Sequence, residues 1–510
     1  MSLFGFTIVR DRPKRQSLGA GPGPIRRDYD AALSDRLFAD WKLSVGYSPT
    51  TLATQYPVML ARTRTEFKNN PYARKIVALF RQNVIGDTGM LFRPLPMDPT
   101  GAMDVQAAAW LWQGFVDQWG ANPAYVDAAG RLAFRPLCEA IAMGLVRDGN
   151  VFLRLLPGFN YPANPFGFSV QLLPATSLDT ALNVDDGRQR IYNGVEVDAW
   201  RRPLRYWFRA PTSSSRLNPT PATYVSGEHQ VFPASEILHV YDRAEESEAC
   251  IGVPWLYAVL TRLKMLGEYE FAELVAARED ACSTVSYETA PGSDYDADAA
   301  LRTYKEGQAN IRQLSPGEGE ILPPGLKKVK HAPTRPNGEV NNFRKGMLQG
   351  VASGTMVQYN GLANDLEGVN FSSIRSGKQD ERDAFKIVQQ LIIEQAASPI
   401  YLAWLDQFLI SGQTSLPASK RAKFAAHQFR GRRWPWVDPM SDAKYNELCR
   451  QYGWKTDDTI AGEIGEDWES NVAAIKAAAP DAKGTYLEPN YAKEAQPKPG
   501  APSPGKPAAA

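Results

Sequence analysis

The 510-residue chain is too long for one ordinary domain, so several domains or one many-lobed subunit are expected. Its 57 basic and 56 acidic side chains leave a net charge of +1, which excludes a general coat for a polyanion and confines any nucleic-acid contact to local patches. Hydrophobic residues at 44% and charged residues at 22% are ordinary globular values, while 12 Trp, 21 Tyr and 21 Phe suit aromatic cores and subunit interfaces.

Residues 1–30 are rich in Gly, Pro and Arg, and residues 481–510 in Ala, Pro and Lys. Both read as tails, because such compositions bury too little apolar surface to offset ordering entropy. The opening MSLFGFTIVRDRPKR sets apolar residues before basic ones, the reverse of a secretory signal. Nowhere do about 18 apolar residues run together. A soluble protein made in a cytoplasm is expected. Cys138, Cys250, Cys282 and Cys449 lie far apart without metal-ligand spacing, which favours buried free thiols.

Thr65–Val84 reads as a helix, with Phe67, Ala73, Ile76, Val77 and Phe80 at helical spacing, broken by the turn Ile85-Gly-Asp-Thr-Gly89. Arg62, Arg64, Lys68, Arg74, Lys75 and Arg81 gather along this stretch. Arg74 and Arg81 share a face away from the apolar stripe, suited to solvent or a neighbouring subunit or, more sharply, to phosphate. Val105–Trp119 and Phe134–Arg147 are further amphipathic helices. Strands are predicted at 151–156, 169–173, 191–197, 204–209 and 236–241, and their Pro/Gly/Asn separators argue for an antiparallel region.

After Gly252-Val253, Pro254 opens a helix running to about Cys282, roughly 40 Å long. Arg262 and Lys264 mark its first half; Glu268, Glu270, Glu273, Glu279 and Asp280 mark its second. That acidic half is either a solvated face or, in a ring, a channel wall, and charge alone does not choose. Residues 285–336 read as an inserted module with a helix near 296–310, a Pro-rich excursion and the basic patch Lys327, Lys328, Lys330. A Gly-punctuated helix (344–356) follows. The polar loop 358–370 then leads to a charged helix from Ser372 or Ser373, which Pro399 should kink. An Asn/Gly loop between two helices suggests a mobile element that lines a conduit or grips a ligand.

No catalytic set can be assembled. The P-loop, GxSxG, HExxH and EF-hand patterns are absent. His239 sits in an apolar strand and reads as a core residue. Asp148-Gly149-Asn150 reads as a turn opening a strand, with a carboxylate–amide site as the sharper alternative. Asp365 and Glu367 lack the further acids and the Lys or His that a two-metal nuclease needs. Neither an enzyme nor a cofactor is implied.

Leu60-Ala-Arg-Thr-Arg64, Asn69-Asn-Pro-Tyr-Ala73, Asn83-Val-Ile-Gly86, Asp148-Gly-Asn150, His239 with Gly252-Val-Pro254, Glu273–Arg278 and Leu314–Glu318 together resemble the lambda-family bacteriophage portal proteins. Asp365-Leu-Glu-Gly-Val-Asn-Phe-Ser-Ser-Ile-Arg375 is near that family's D-L-S-x-V-N-Y-S-S-x-R, and Trp434-Pro-Trp-Val-Asp-Pro439 is similar to its C-terminal motif. The resemblance covers about residues 30–475 in order. Glu367 stands for the usual Ser and Phe371 for the usual Tyr. Residues 243–246 lack the usual Gln-x-Arg-Gly, which leaves the junction before Gly252 unspecified.

The resemblance implies an α+β portal fold: a mixed α/β wing (30–251 and 372–439), long-helix stem (252–284 and 337–357), small α/β clip (285–336), tunnel loop (358–371) and helical crown (440–480). It implies a ring, typically of twelve copies, at one capsid vertex of a virion assembled in the host cytoplasm. Its partners would be the terminase large subunit, the major capsid protein and scaffold, a head-tail adaptor and double-stranded DNA in transit, with no membrane. Asn360, Asn364, Asp365, Glu367 and Asn370 would face DNA in the tunnel loop. Glu268, Glu270, Glu273, Arg344 and Lys345 would face the stem channel. Lys327, Lys328 and Lys330 would meet terminase or adaptor. The rival reading is a minor capsid or sequence-independent DNA-binding virion protein that forms no ring.

Overall fold

The helices begin where the chain has no other use for its backbone donors. In the computed structural model α1 (Pro49–Asn69) is followed directly by α2 (Pro71–Phe80). The single helix expected over Thr65–Val84 is therefore two. Pro71 cannot donate a hydrogen bond and pushes Asn70 into extended backbone (φ −101°, ψ 120°), from which Asn70 Oδ1 accepts from the amides of Tyr72 and Ala73. The helix before Thr65 was not legible, because α1 buries only Tyr56, Leu60 and Thr63 and so carries a faint apolar stripe. The structure describes residues 49–160, 164–211, 224–243, 248–282, 286–289, 326–329, 339–367, 370–436, 438–466, 468, 471–472 and 475.

A π-helical turn (Arg81–Ile85) ends α2 at Gly86. Strand β1 (Leu91–Pro94) precedes α3 (Val105–Trp112), which runs on through a π-helical stretch to Gly120, then α4 (Pro123–Val126) and α5 (Phe134–Asp148). The expected antiparallel β region follows. β2 (Asn150–Pro157) lies between β3 (Phe168–Leu173) and β9 (Ile237–Tyr241). A second sheet runs in chain order through β4 (Val184–Asp185), β5 (Arg190–Tyr192), β6 (Val195–Val197), β7 (Pro203–Pro211) and β8 (Tyr224–Pro233).

Residues 191–197 are not one strand. Asn193 and Gly194 both have positive φ (52° and 80°), the two-residue turn that folds β5 back on β6. β8 was also missed, since its sequence, Tyr-Val-Ser-Gly-Glu-His, is polar.

The long helix α6 spans Leu260–Cys282, about 35 Å, and starts six residues later than Pro254 promised. Residues 254–259 form turns instead, which lets Leu256 and Val259 sink into the core. Of residues 285–336 only the antiparallel pair β10 (Ser286–Thr289) and β11 (Leu326–Val329) is described; the helix expected near 296–310 lies outside the described residues. α7 (Glu339–Thr355) and α8 (Tyr359–Ala363) come next, so the predicted loop contains a helical turn.

The charged helix α9 (Phe371–Ile392) passes through a π-helical turn (Ile393–Ala397) into α10 (Ser398–Ile410). The Ser398 amide there bonds Ile393 O, so the donor missing at Pro399 is absorbed by a widened turn. That turn also projects Gln395, whose Oε1 accepts from the Tyr241 amide of edge strand β9 at 2.9 Å. The chain then forms α11 (Arg421–Phe424), β12 (His427–Arg430), α12 (Pro439–Gln451) and α13 (Asp457–Ile464).

β12 pairs antiparallel with β1, so the C-terminal third completes a layer begun before residue 100. α10 supplies the centre of the core. The rings of Trp404 and Phe408 lie 4.4 Å apart, and Trp404 meets Phe115 edge-on at 5.2 Å. Gly114 makes room for them, since a Cβ there would stand 2.8 Å from Phe408. Cys138, Cys250 and Cys449 are free and buried; Cys282's side chain lies outside the described residues.

Candidate functional site at the α6–α7–loop junction

The strap leading to α6 is fixed by a buried amide. Asn150 Oδ1 accepts from the Gly252 amide at 2.7 Å, and Asn150 Nδ2 donates to Gly252 O at 2.7 Å. The same side chain meets Tyr56 Oη at 3.0 Å and His239 Nε2 at 2.9 Å. Burial drives the His239 pKa well below 6.5, so a neutral ring stacks between Phe152 and Tyr241. Next to it, Arg64 and Arg147 each grip the Asp148 carboxylate with two donors. Burial alone would raise Asp148, but the two guanidinium groups outweigh it and hold the carboxyl below its usual range. Asp148-Gly-Asn150 is thus a structural clamp, with Gly149 in the left-handed region at φ 77°.

α6 and α7 pack antiparallel. Tyr269 meets Phe343 edge-on at 4.8 Å, Arg262 lies over Gly350, and Val259 lies over Gly354. At the end of this pair two tyrosines receive charged partners. Tyr72 Oη donates to Glu270 Oε1 at 2.8 Å, and Tyr359 Oη donates to Asp365 Oδ2 at 2.7 Å. Burial first, then the adjacent carboxylate, pushes each phenol up to about 12. Lys345 on α7 closes the second set: its Nζ is 3.6 Å from Asp365 Oδ2 and 5.7 Å from the Tyr359 ring centre. The Tyr359 hydroxyl, foremost, holds the Asp365 carboxyl below its usual range.

The loop is tied to α9 at its first residue. The Gln358 amide donates to Glu381 Oε1 on α9 at 3.0 Å, and Gly377 leaves space for the Gln358 side chain. Asn364 ends α8 in the left-handed region (φ 52°, ψ 34°), after which Asp365 Oδ1 accepts from the Glu367 amide.

Four of the sequence-predicted site residues therefore come together: Glu270, Arg344, Lys345 and Asp365, with Arg344 near enough to act electrostatically on both tyrosines. Glu270 and Asp365 are occupied by hydroxyls. Asn364, Glu367 and Asn370 are exposed, and Asn360 is half-buried. Glu268 is exposed and 3.7 Å from Lys264, while Glu273 is half-buried and engaged. Lys327 and Lys328 lie on β11; Lys330 is outside the described residues.

Sequence reading missed the apolar face of α6. Phe271 and Leu274 are 68% and 60% exposed and Val275 39%, on a helix whose core-facing residues are Leu263 and Leu266. The spacing 271, 274, 275 was the available signal. Among the described residues no group of acids, histidines and cysteines could hold a metal ion, and no helix is long and apolar enough to cross a membrane.

A family model described as phage portal protein, lambda family, matches residues 34–389. A probable portal protein of Halomonas phage phiHAP-1 is 29% identical over 480 residues, covering 90% of this chain and 89% of that one. Portal protein B of Escherichia phage lambda is 19% identical over 462 residues, covering 82% and 85%. A chain from the neck of a native GTA particle, computed with C12 symmetry, shares 12% identity over 82% of this chain and 98% of that one, with a TM-score of 0.44.

Proposed function

The chain belongs to the lambda family of phage portal proteins, and from that premise we propose that it assembles as a ring of about twelve copies at one capsid vertex. There it nucleates head assembly, docks the terminase motor, passes double-stranded DNA inward and outward, and later carries the head-tail adaptor. One observation carries the assembly: Phe271, Leu274 and Val275 form an apolar face on a helix with no cover from the rest of the described chain. A neighbouring copy is the cover this reading assigns to it.

In this reading residues 30–251 and 372–439 form the wing, α6 and α7 the stem, residues 285–336 the clip and α12–α13 the crown. The tunnel loop runs from 358 to 371. A conduit must not grip a polyanion, because every neutralised phosphate adds affinity. The charge pattern fits that demand. Lys345 is answered by Asp365, Lys264 by Glu268, and the loop turns neutral Asn364 and Asn370 outward. Lys327, Lys328 and Lys330 of the clip are assigned to the terminase large subunit and the adaptor.

Lysine grafts at Asn360 and Asn364 test the conduit. They should slow DNA translocation in a packaging assay while rings still form; unchanged rates would remove the loop from the path of DNA.

A further inference from the structure

The pair α12–α13 leaves a second apolar surface. The inward side chains of α12 are Asn446 and Cys449, both buried. Tyr445, Leu448 and the C-cap residue Tyr452 recur at i, i+3 and i+7, which lines them up along another side of the helix, and all three are exposed. Gly453, in the left-handed region at φ 73°, ends the helix and turns the chain back, so that the Trp454 amide donates to Cys449 O at 2.8 Å. The turn lays the Trp454 ring against Tyr452, with centres 5.3 Å apart and planes 26° from parallel. Tyr452 and Trp454 nevertheless stay 67% and 70% exposed.

α13 ends beside this surface. Lys455 Nζ lies 5.2 Å from the Tyr445 ring centre and 2.7 Å from Glu463 Oε1, so the last turn of α13 is held at one edge of the patch. Residues 476–510 follow Ile475 in the sequence and carry Pro499-Gly-Ala-Pro502 and Pro504-Gly-Lys-Pro507. Prolines three apart fall on one side of a polyproline II helix, about 9 Å from each other. The exposed stripe from Tyr445 to Tyr452 is about 10 Å long. From Ile475 to Pro499 an extended chain reaches about 80 Å, so length does not limit a return to the patch.

We propose that the surface formed by Tyr445, Leu448, Tyr452 and Trp454 is a polyproline-binding face, and that its occupant is the segment 497–507 of this chain. Proline rings pack on aromatic faces, and a polyproline II backbone is stiff before it binds, so docking loses little entropy. A single helix face without a deep groove makes a weak site, and tethering compensates for that. A linker of this kind supplies an effective concentration of about 1 mM, so a face with an intrinsic Kd of about 100 µM is about nine-tenths filled by its own tail. The tail composition that builds no core serves here as a ligand.

Competition in the full-length protein tests this. A fluorescein-labelled peptide of residues 495–508 is titrated, with anisotropy as the readout, against the wild-type chain and against P499A/P502A/P504A/P507A, whose own tail no longer fits the face. The proline variant should bind the peptide about tenfold more tightly than the wild type, a ratio set by the tethered tail. Y452S/W454S should lose the peptide while circular dichroism shows it folded, since both side chains are exposed. A peptide of the same composition whose prolines are no longer three apart should bind neither chain. Equal affinity of wild type and proline variant overturns the proposal, because the tail then does not occupy the face. So does a proline variant that takes no peptide, peptide binding that survives Y452S/W454S, or equal binding of the rearranged peptide. Loss of rings in Y452S/W454S, with no peptide bound by the proline variant, assigns the surface to a contact between copies and also overturns it.

Discussion

The side chain of Asn150 holds both the amide and the carbonyl of Gly252, at 2.7 Å each, and so locks the strap that feeds the long helix α6 to the first residue of the central strand β2. Two further partners, Tyr56 and His239, saturate the same amide. A group of this kind is worth most through what its loss leaves unpaired. Asn150→Ala should cost about 3 kcal/mol, because several buried donors and acceptors would be orphaned together. Chemical denaturation of the folded variant measures it.

Gly149 tests the same clamp through the backbone. It has φ 77°, and a Cβ there would run into the backbone carbonyl of Val253. Gly149→Ala should destabilise by about 3 kcal/mol or more, since left-handed strain adds to a collision with main chain that cannot swing away. Soluble yield and melting temperature should both fall, whereas Gly130→Ala, with nothing within 4 Å, should show only the strain of its φ of 69°.

His239 makes stability depend on pH. Its folded pKa lies well below the ordinary 6.5 because the ring is fully buried. The unfolded chain therefore takes up a proton near pH 6.5 that the folded protein refuses. This contribution is present above pH 6.5 and is lost as pH falls below it, by about 1.4 kcal/mol per unit until the depressed folded value is reached. Denaturation at pH 7.5 and 5.5 should show the drop, and His239→Leu should lack it.

The loop tether predicts a local effect without a global one. Tyr359→Phe or Asp365→Ala removes the 2.7 Å hydrogen bond that holds the loop near Lys345. Amide exchange should quicken over residues 358–367 while α7 and α9 keep their protection. The tether needs the carboxylate, and Asp365 lies below its usual range, so the loop should hold down to acidic pH and loosen as Asp365 protonates.

Much of the architecture was legible where side chains follow a period. The α5 stripe follows from spacing, the antiparallel strands from their Pro/Gly/Asn separators, and the long helix from Pro254 and the absence of later breakers. What failed was decided by backbone or by distant partners. Asn193-Gly194 reads as a strand interior if only hydropathy is followed, though Asn-Gly is itself a turn signal. Pro71 divides a helix that periodicity alone continues. At the site, the family resemblance named Glu270 as facing the stem channel and Asp365 as facing DNA in the tunnel loop. Motif matching does not show Tyr72 and Tyr359, 198 and 6 residues away, which occupy them. The exposed α6 face was passed over because apolar residues in a helix ordinarily mean core.

The ring is the central claim, and counting copies tests it most directly. Negative-stain imaging with native mass spectrometry of the purified full-length chain should give rings of about twelve copies with a central hole. Phe271→Glu with Leu274→Glu should leave a folded, smaller species, since both side chains are exposed in the single chain. A wild-type chain that stays a monomer or dimer at micromolar concentration, or a double variant that still closes into rings, would contradict the account.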